Sequence, residues 1–257
     1  MDALNALFRW LHIFAGIVWI GMLYFFNFVN GPLGGVLDGD TKKKVVPELM
    51  PRALYWFRWG AAWTWVTGVL LLMLVFYHGG VMFEPEYTWS GGAIAMIVVT
   101  FLAPFVYDAL HKSPLGKDPK VFGGVAFVLA AIVICLMQYF GFSYRAYNIH
   151  LAALFGTIMA FNVWYRIWPA QQKIIAAVKA GTPPEAALVA LAGARSRHNT
   201  YMSLPLVWGM INYHTTTVGT ALGIPGAYGY VLYLVMILLA WHIVWHLYRR
   251  AAKVKGF

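Results

Sequence analysis

Eight histidines, His12, His78, His111, His150, His198, His214, His242 and His246, are the residues whose chemistry stands out against their surroundings. Each lies in or beside a long apolar stretch, where a polar group is costly unless it has a partner and a purpose. Neutral imidazole ligates transition metals and haem iron, so histidines sorted to common depths would make metal or haem sites. The stretch from Arg195 to Thr217 sets the scale. As a helix at ~1.5 Å per residue, His198 and His214 would stand roughly 24 Å apart, most of a ~30 Å hydrocarbon slab.

Composition supplies the slab. The 257 residues are 61% hydrophobic, 17% aromatic and 11% charged, with mean hydropathy +0.66, where a soluble domain carries about 25% charged residues. The chain therefore reads as an integral membrane protein with the lipid bilayer as its first partner and no nucleic acid. Its length allows about seven spans of ~20 residues and no appended soluble domain. Early charges limited to Asp2 and Arg9, and an apolar run without a small-residue cleavage site, point to a retained first helix, not a cleaved signal. With Cys135 as the single cysteine, there is neither a disulfide nor a Cys-x-x-Cys-His site for covalent haem.

The expected architecture is all-α, a polytopic bundle of seven transmembrane helices. They cover residues 4–28, 55–77, 91–110, 121–140, 149–168, 195–217 and 228–248. Residues 31–54 are expected as a loop bearing Lys42, Lys43 and Lys44 with a short surface helix from Asp40. Residues 169–197 are expected as a cytoplasmic helical hairpin, with Thr182 and Glu185 spaced for a capping box and Pro183 at the first helical position. The whole chain, 1–257, forms one domain. All lysines and arginines except Arg9 and Arg145 fall in the connections after helices one, three, five and seven or in the helix ends that flank them, which places the N-terminus outside and the C-terminus in the cytoplasm of a bacterial inner membrane.

That orientation sorts the histidines. His12, His78, His150 and His214 fall at outer helix ends, and His111, His198, His242 and His246 at inner ones. Haem b accounts for the pattern better than a bare metal: two helices supply one axial imidazole each, and the apolar, aromatic and glycine-bearing surfaces suit a porphyrin. One or two haems would carry electrons across the membrane. In the outer layer the ligands are His12 and His214, each about a turn inside a helix end, with His150 in reserve and His78 at the edge. In the inner layer they are His111 and His242, the latter nearly two turns inside Arg249, with His246 in reserve. His198 ranks lower, because a straight helix turns it away from His214 and Pro205 would have to rewind the helix. Asp108 can orient a ligated His111 by accepting its second N–H. Gly16 lies on the His12 face and leaves room for a flat macrocycle, although Gly16 and Gly21 would equally serve close helix packing.

Two other classes use the same residues. One is a histidine-based transporter of copper or another metal ion, disfavoured by the scattering of the 11 methionines. The other is a structural subunit of a respiratory membrane complex.

Phe8 to His12 through Gly21, Arg195 to Ser203, Pro205 and Asn212-Tyr213-His214 together resemble the membrane domain of the bacterial urate oxidase (urate hydroxylase) family. The His12, Gly16, Trp19 pattern is more distantly similar to membrane proteins of the copper-resistance and protoporphyrinogen-oxidase type, which implies a haem-binding bundle. The urate-type resemblance implies a membrane oxidoreductase. Members of that family carry one more helix and a periplasmic cytochrome c domain; with the chain read as ending after helix seven, its electron acceptor is a separate cytochrome c, another redox subunit or quinone. The resemblance carries His12, His198 and His214 over as positions and names no catalytic residue.

The orientation is directly testable. A reporter fused after Phe257 is expected to read as cytoplasmic and one inserted between Gly80 and Trp89 as periplasmic; the reverse result inverts both histidine layers.

Overall fold

A computed structural model of the chain describes residues 2–212, 214, 221–224 and 228–254. Among them there is no strand, and one isolated bridge pairs Phe83 with Phe142. The long helices are α1 (Asp2–Val36), α2 (Gly39–Tyr77), α3 (Gly91–Lys112), α4 (Pro119–Tyr139), α5 (Tyr144–Ala180), α6 (Ala186–Asn212) and α7 (Gly229–Ala251). All but α6 are long and apolar enough to cross a membrane. In α6 the polar run from Arg195 to Thr200 dilutes the apolar residues. Trp10, Ile13, Phe14 and Ile17 of α1 are 61–68% exposed, a large apolar patch for an aqueous surface but an ordinary one against lipid. By contrast, the apolar window of α5 is 83% buried, so protein, not solvent or lipid, surrounds it.

The chain packs as two compact units. The first comprises residues 2–69, 159–203 and 241–254. Within it α1 runs antiparallel to α2: His12 lies opposite Thr64 and Thr67, Trp19 opposite Gly60, and Phe26 sets its ring edge-on to Phe57 at 5.3 Å. At Gly60 a Cβ would stand 3.0 Å from the Trp19 amide nitrogen and 3.3 Å from the Ala15 carbonyl. A side chain there would press on the Trp19 backbone, so glycine favours the closest approach of the two backbones, as in small-residue contacts between membrane helices. Two π-helical turns, Phe25–Asn30 in α1 and Val163–Ile167 in α5, interrupt the regular helices of this unit.

The second unit comprises residues 70–158 and 204–240. Side-chain caps fix its helix starts: Ser90 accepts from the Ala93 amide at α3, and Asp118 accepts from the Lys120 and Val121 amides at α4. The segment 78–90 folds onto the turn between α4 and α5, with the Glu84 amide donating to the Gly141 carbonyl and the Ser143 amide to that of Met82. Beside α5, Gly209 of α6 leaves no space for a Cβ, which would meet the Ala152 methyl at 2.7 Å and the Asn148 carbonyl at 2.8 Å. Tyr233 of α7 donates to the Pro205 carbonyl at 2.9 Å, pairing a backbone acceptor beside the proline of α6.

Helix ends differ from the sequence-based expectation. Residues 39–54 are helical and continuous with α2, despite Pro47 and Pro51 inside the helix. The start of α5 is Tyr144, five residues earlier than expected, and the helix continues to Ala180. No capping box forms at Thr182: its hydroxyl turns back to the Ala177 carbonyl, Gly181 closes α5 at φ +75°, and α6 begins only at Ala186. The expected extension of α6 to Thr217, Tyr213 included, lies outside the described residues.

Gly60→Leu is expected to force α1 and α2 apart and lower stability by about 1–3 kcal/mol, read as a lower melting temperature of the detergent-solubilised protein. Gly21→Ala, where a Cβ would meet nothing within 4 Å, is expected to leave it unchanged.

Candidate functional site

His12 is half-buried in the first unit, and both hydrogen bonds of its ring are made by Nδ1: 2.9 Å to the Thr64 carbonyl and 3.2 Å to Thr67 Oγ1. A carbonyl oxygen only accepts, so Nδ1 carries the proton and Nε2 keeps its lone pair. This is the arrangement of a ligating histidine, whose other ring nitrogen donates to a carbonyl or carboxylate that fixes tautomer and ring plane. Gly68 lies against the Nδ1–Cε1 edge of the ring, where a Cβ would stand 3.0 Å from His12 Cε1. Gly16 has a different surrounding from the one expected: a Cβ there would lie 3.9 Å from the Thr64 methyl, an ordinary contact between helices. The packing role weighed for Gly16 is therefore the one its neighbours display, and the glycine beside the imidazole is Gly68.

In the second unit, His150 is fully buried, not at a helix edge as its expected position implied, because α5 begins at Tyr144. Its Nδ1 donates to the Ala146 carbonyl at 2.7 Å and its Nε2 accepts from the Tyr77 hydroxyl at 3.1 Å. Phe76 and Phe142 set their rings edge-on to it at 5.9 and 5.2 Å. Both nitrogens are engaged, which makes His150 a satisfied core residue. His78 is exposed at the end of α2, with Nδ1 donating to the Met73 carbonyl at 2.8 Å. His111 sits half-buried near the end of α3 between the rings of Tyr107 and Phe122. Asp108, expected to orient it, is buried and forms an ion pair with Lys112 at 2.7 Å. His214 lies exposed on the turn after α6.

The remaining inner histidines belong to the first unit. His198 is half-buried on α6. His242 and His246 are exposed on α7, opposite its buried positions Ala240 and Val244, with their Nε2 atoms 3.0 Å apart. His242 thus lies on the outer face of its helix, not inside the bundle where its depth along the chain suggested.

A polar core in the first unit escaped the sequence analysis. Arg195 and Asn199 of α6 and Asn162 of α5 are fully buried together: Arg195 Nη1 donates to Asn162 Oδ1 at 3.3 Å, Asn162 Nδ2 to Asn199 Oδ1 at 2.9 Å, and Asn199 Nδ2 to the Met159 carbonyl at 3.0 Å. At Ser196, the residue after Arg195, Oγ accepts from Asn27 Nδ2 at 2.8 Å, and Asn27 Oδ1 accepts from the Tyr248 hydroxyl at 2.8 Å. Next to it opens a cavity of about 420 Å³, lined among others by Asn27, Asn30, Gln171, Arg197, Phe57 and Tyr248. Both π-helical turns of this unit contribute to its wall, through Phe26, Asn27, Asn30 and Ile167. Such turns concentrate at functional sites because the extra residue redirects side chains that a regular helix would point elsewhere. The size is that of a small-molecule pocket. Among the described residues no group of three or more His, Cys, Asp or Glu side chains is placed to hold a metal ion.

Fold and site together define an all-helical protein with apolar helices fit for a bilayer, two imidazoles, His12 and His78, whose Nδ1 donates to a backbone carbonyl, and a cavity lined by polar and aromatic side chains. The sequence profile of the urate oxidase N-terminal family matches residues 33–256, and the chain belongs to that family. Neither a curated protein nor a solved structure matches it. The match begins after His12, so the reading of His12 rests on its geometry.

Tyr77→Phe removes the hydroxyl that His150 Nε2 accepts from. It leaves a buried acceptor unpaired, an expected loss of about 1–3 kcal/mol, measured as a lower melting temperature.

Proposed function

We propose that this protein is a membrane-embedded oxidoreductase that binds haem b through His12 and passes electrons to a separate cytochrome c or to quinone. The observation that supports it is the bond from His12 Nδ1 to the Thr64 carbonyl, which holds a neutral imidazole with its Nε2 lone pair in a fixed direction. The residues present fit the group: a carbonyl-anchored imidazole, a glycine at its Nδ1–Cε1 edge, and exposed apolar side chains such as Ile13 and Phe14 on the same helix. When bound, haem supplies one-electron chemistry. The chain's part is to keep the ligand neutral and oriented and to keep water from it.

In this reading all seven helices cross the membrane, α6 included, with the N-terminus outside and the C-terminus cytoplasmic. The polar run of α6 is tolerated at membrane depth because Arg195 and Asn199 face Asn162 inside the protein. Residues 1–257 act as one domain with 169–197 as a cytoplasmic hairpin. The cavity would hold the reductant. Amides at Asn30 and Gln171, the Arg197 guanidinium and the rings of Phe57 and Tyr248 suit a small planar anion, and the family name suggests one of the urate type.

Haem content per chain, measured after purification with haem in supply, tests the ligand. His12→Ala is expected to lose one haem's worth of Soret absorbance, and Gly68→Leu, which pushes a side chain against the ring, to lose most of it. Gly16→Ala is expected to keep it. His214→Ala tests the partner expected from sequence. Full haem content with an unchanged spectrum in His12→Ala overturns the assignment.

A further inference from the structure

His242 and His246 stand one turn apart on α7, and their Nε2 atoms face each other at 3.0 Å with ring planes at 83°. Both are exposed, while Ile237, Ala240 and Val244 occupy the buried face of the helix. Trp245 holds the pair in place: its ring stacks on His242 at 5.8 Å and meets His246 edge-on at 4.7 Å. Arg249 covers that indole, with Cζ 4.6 Å from a ring centroid. As a bare pair, one Nε2 donates to the other.

The same placement is that of two ligands on one ion. Histidines four apart on a helix are a known spacing for two ligands of one metal. Nitrogens at ~2.1 Å from a metal and ~90° apart lie ~3.0 Å from each other, whereas a tetrahedral ion would spread them to ~3.4 Å. Haem iron is a poor fit to the pair. Two axial imidazoles approach the iron from opposite faces, which sets their nitrogens about 4 Å apart with the macrocycle between them.

We propose that His242 and His246 form a two-imidazole chelate for a divalent first-row transition ion that accepts neighbouring ligands at right angles, Cu²⁺ or Ni²⁺. The chain supplies two positions near the Arg249 and Arg250 end of α7, and an oxygen donor of the membrane interface, water or a lipid headgroup, fills the rest. The site is separate from the imidazole of His12 and stands whether or not His12 binds haem.

The experiment is Cu²⁺ titration of the full chain in detergent, followed by electron paramagnetic resonance and a competing chelator. The wild type is expected to bind one equivalent with the splitting of two imidazole nitrogens. His242→Ala and His246→Ala are each expected to weaken that equivalent at least tenfold and to leave the splitting of at most one imidazole nitrogen, and the double variant to lose it. Both side chains are exposed, so the variants are expected to elute and melt as the wild type does, with haem content unchanged. Equal Cu²⁺ affinity in the wild type and the double variant, or a single variant that keeps the wild-type affinity and two-nitrogen splitting, overturns the proposal. So does loss of haem in the double variant.

Discussion

The hydrogen bond between His12 Nδ1 and the Thr64 carbonyl is the interaction on which the site depends. It joins a side chain of one helix to the backbone of its neighbour, and so exists only while α1 and α2 stay close. Gly60 favours that approach, since a Cβ would press on the Trp19 backbone, and Gly68 clears space for the ring itself. In water such a bond would compete with solvent and be worth about 1 kcal/mol. In apolar surroundings the competitor is missing and the unpaired alternative is expensive, so the same bond fixes both tautomer and direction. Fold and chemistry meet there: the packing that builds the helix pair also aims a neutral nitrogen.

A second constraint governs the polar core. Arg195, Asn162 and Asn199 are fully buried, and an apolar protein can hold such groups only by pairing them with one another and with backbone carbonyls. The amide of Asn199 does so on Met159, and that of Asn27 on Leu23. The π-helical turns beside this core extend the same logic. Each gives up regular geometry over a few residues, and those at Phe25–Asn30 and Val163–Ile167 bring their side chains to the wall of one cavity. A local irregularity placed against a pocket is how a rigid helix presents more than one face to a ligand.

The sequence made the helices legible because their apolar runs are long. Their ends were less so. Residues 39–54 combine Lys42, Lys43 and Lys44 with Pro47 and Pro51, signals of a loop, yet they continue α2. The depth of a histidine along a helix could be counted, but not its direction around it. For α7 the reason is physical: His242, His246 and Arg249 recur at helical spacing on one side, a polar stripe that marks the solvent face of a water-soluble helix but, by the cost of polar groups against lipid, points to the bundle interior in an apolar one. Thr64 could not be found at all, since its contribution is a backbone carbonyl that every residue possesses. Gly68 was equally hidden, because a glycine needed for space looks like one that merely tolerates packing until the neighbour is known. His150 was displaced for a simpler reason: five extra residues at the start of α5 carry it from an edge into the core.

Whether this helix pair holds an imidazole to a haem iron is read from the optical spectrum of the wild-type chain purified from cells supplied with haem. A Soret band that shifts on reduction is expected together with a sharp b-type α band, in an amount of one or two haems per chain by pyridine haemochrome. A folded, monodisperse preparation without a Soret band would contradict haem binding.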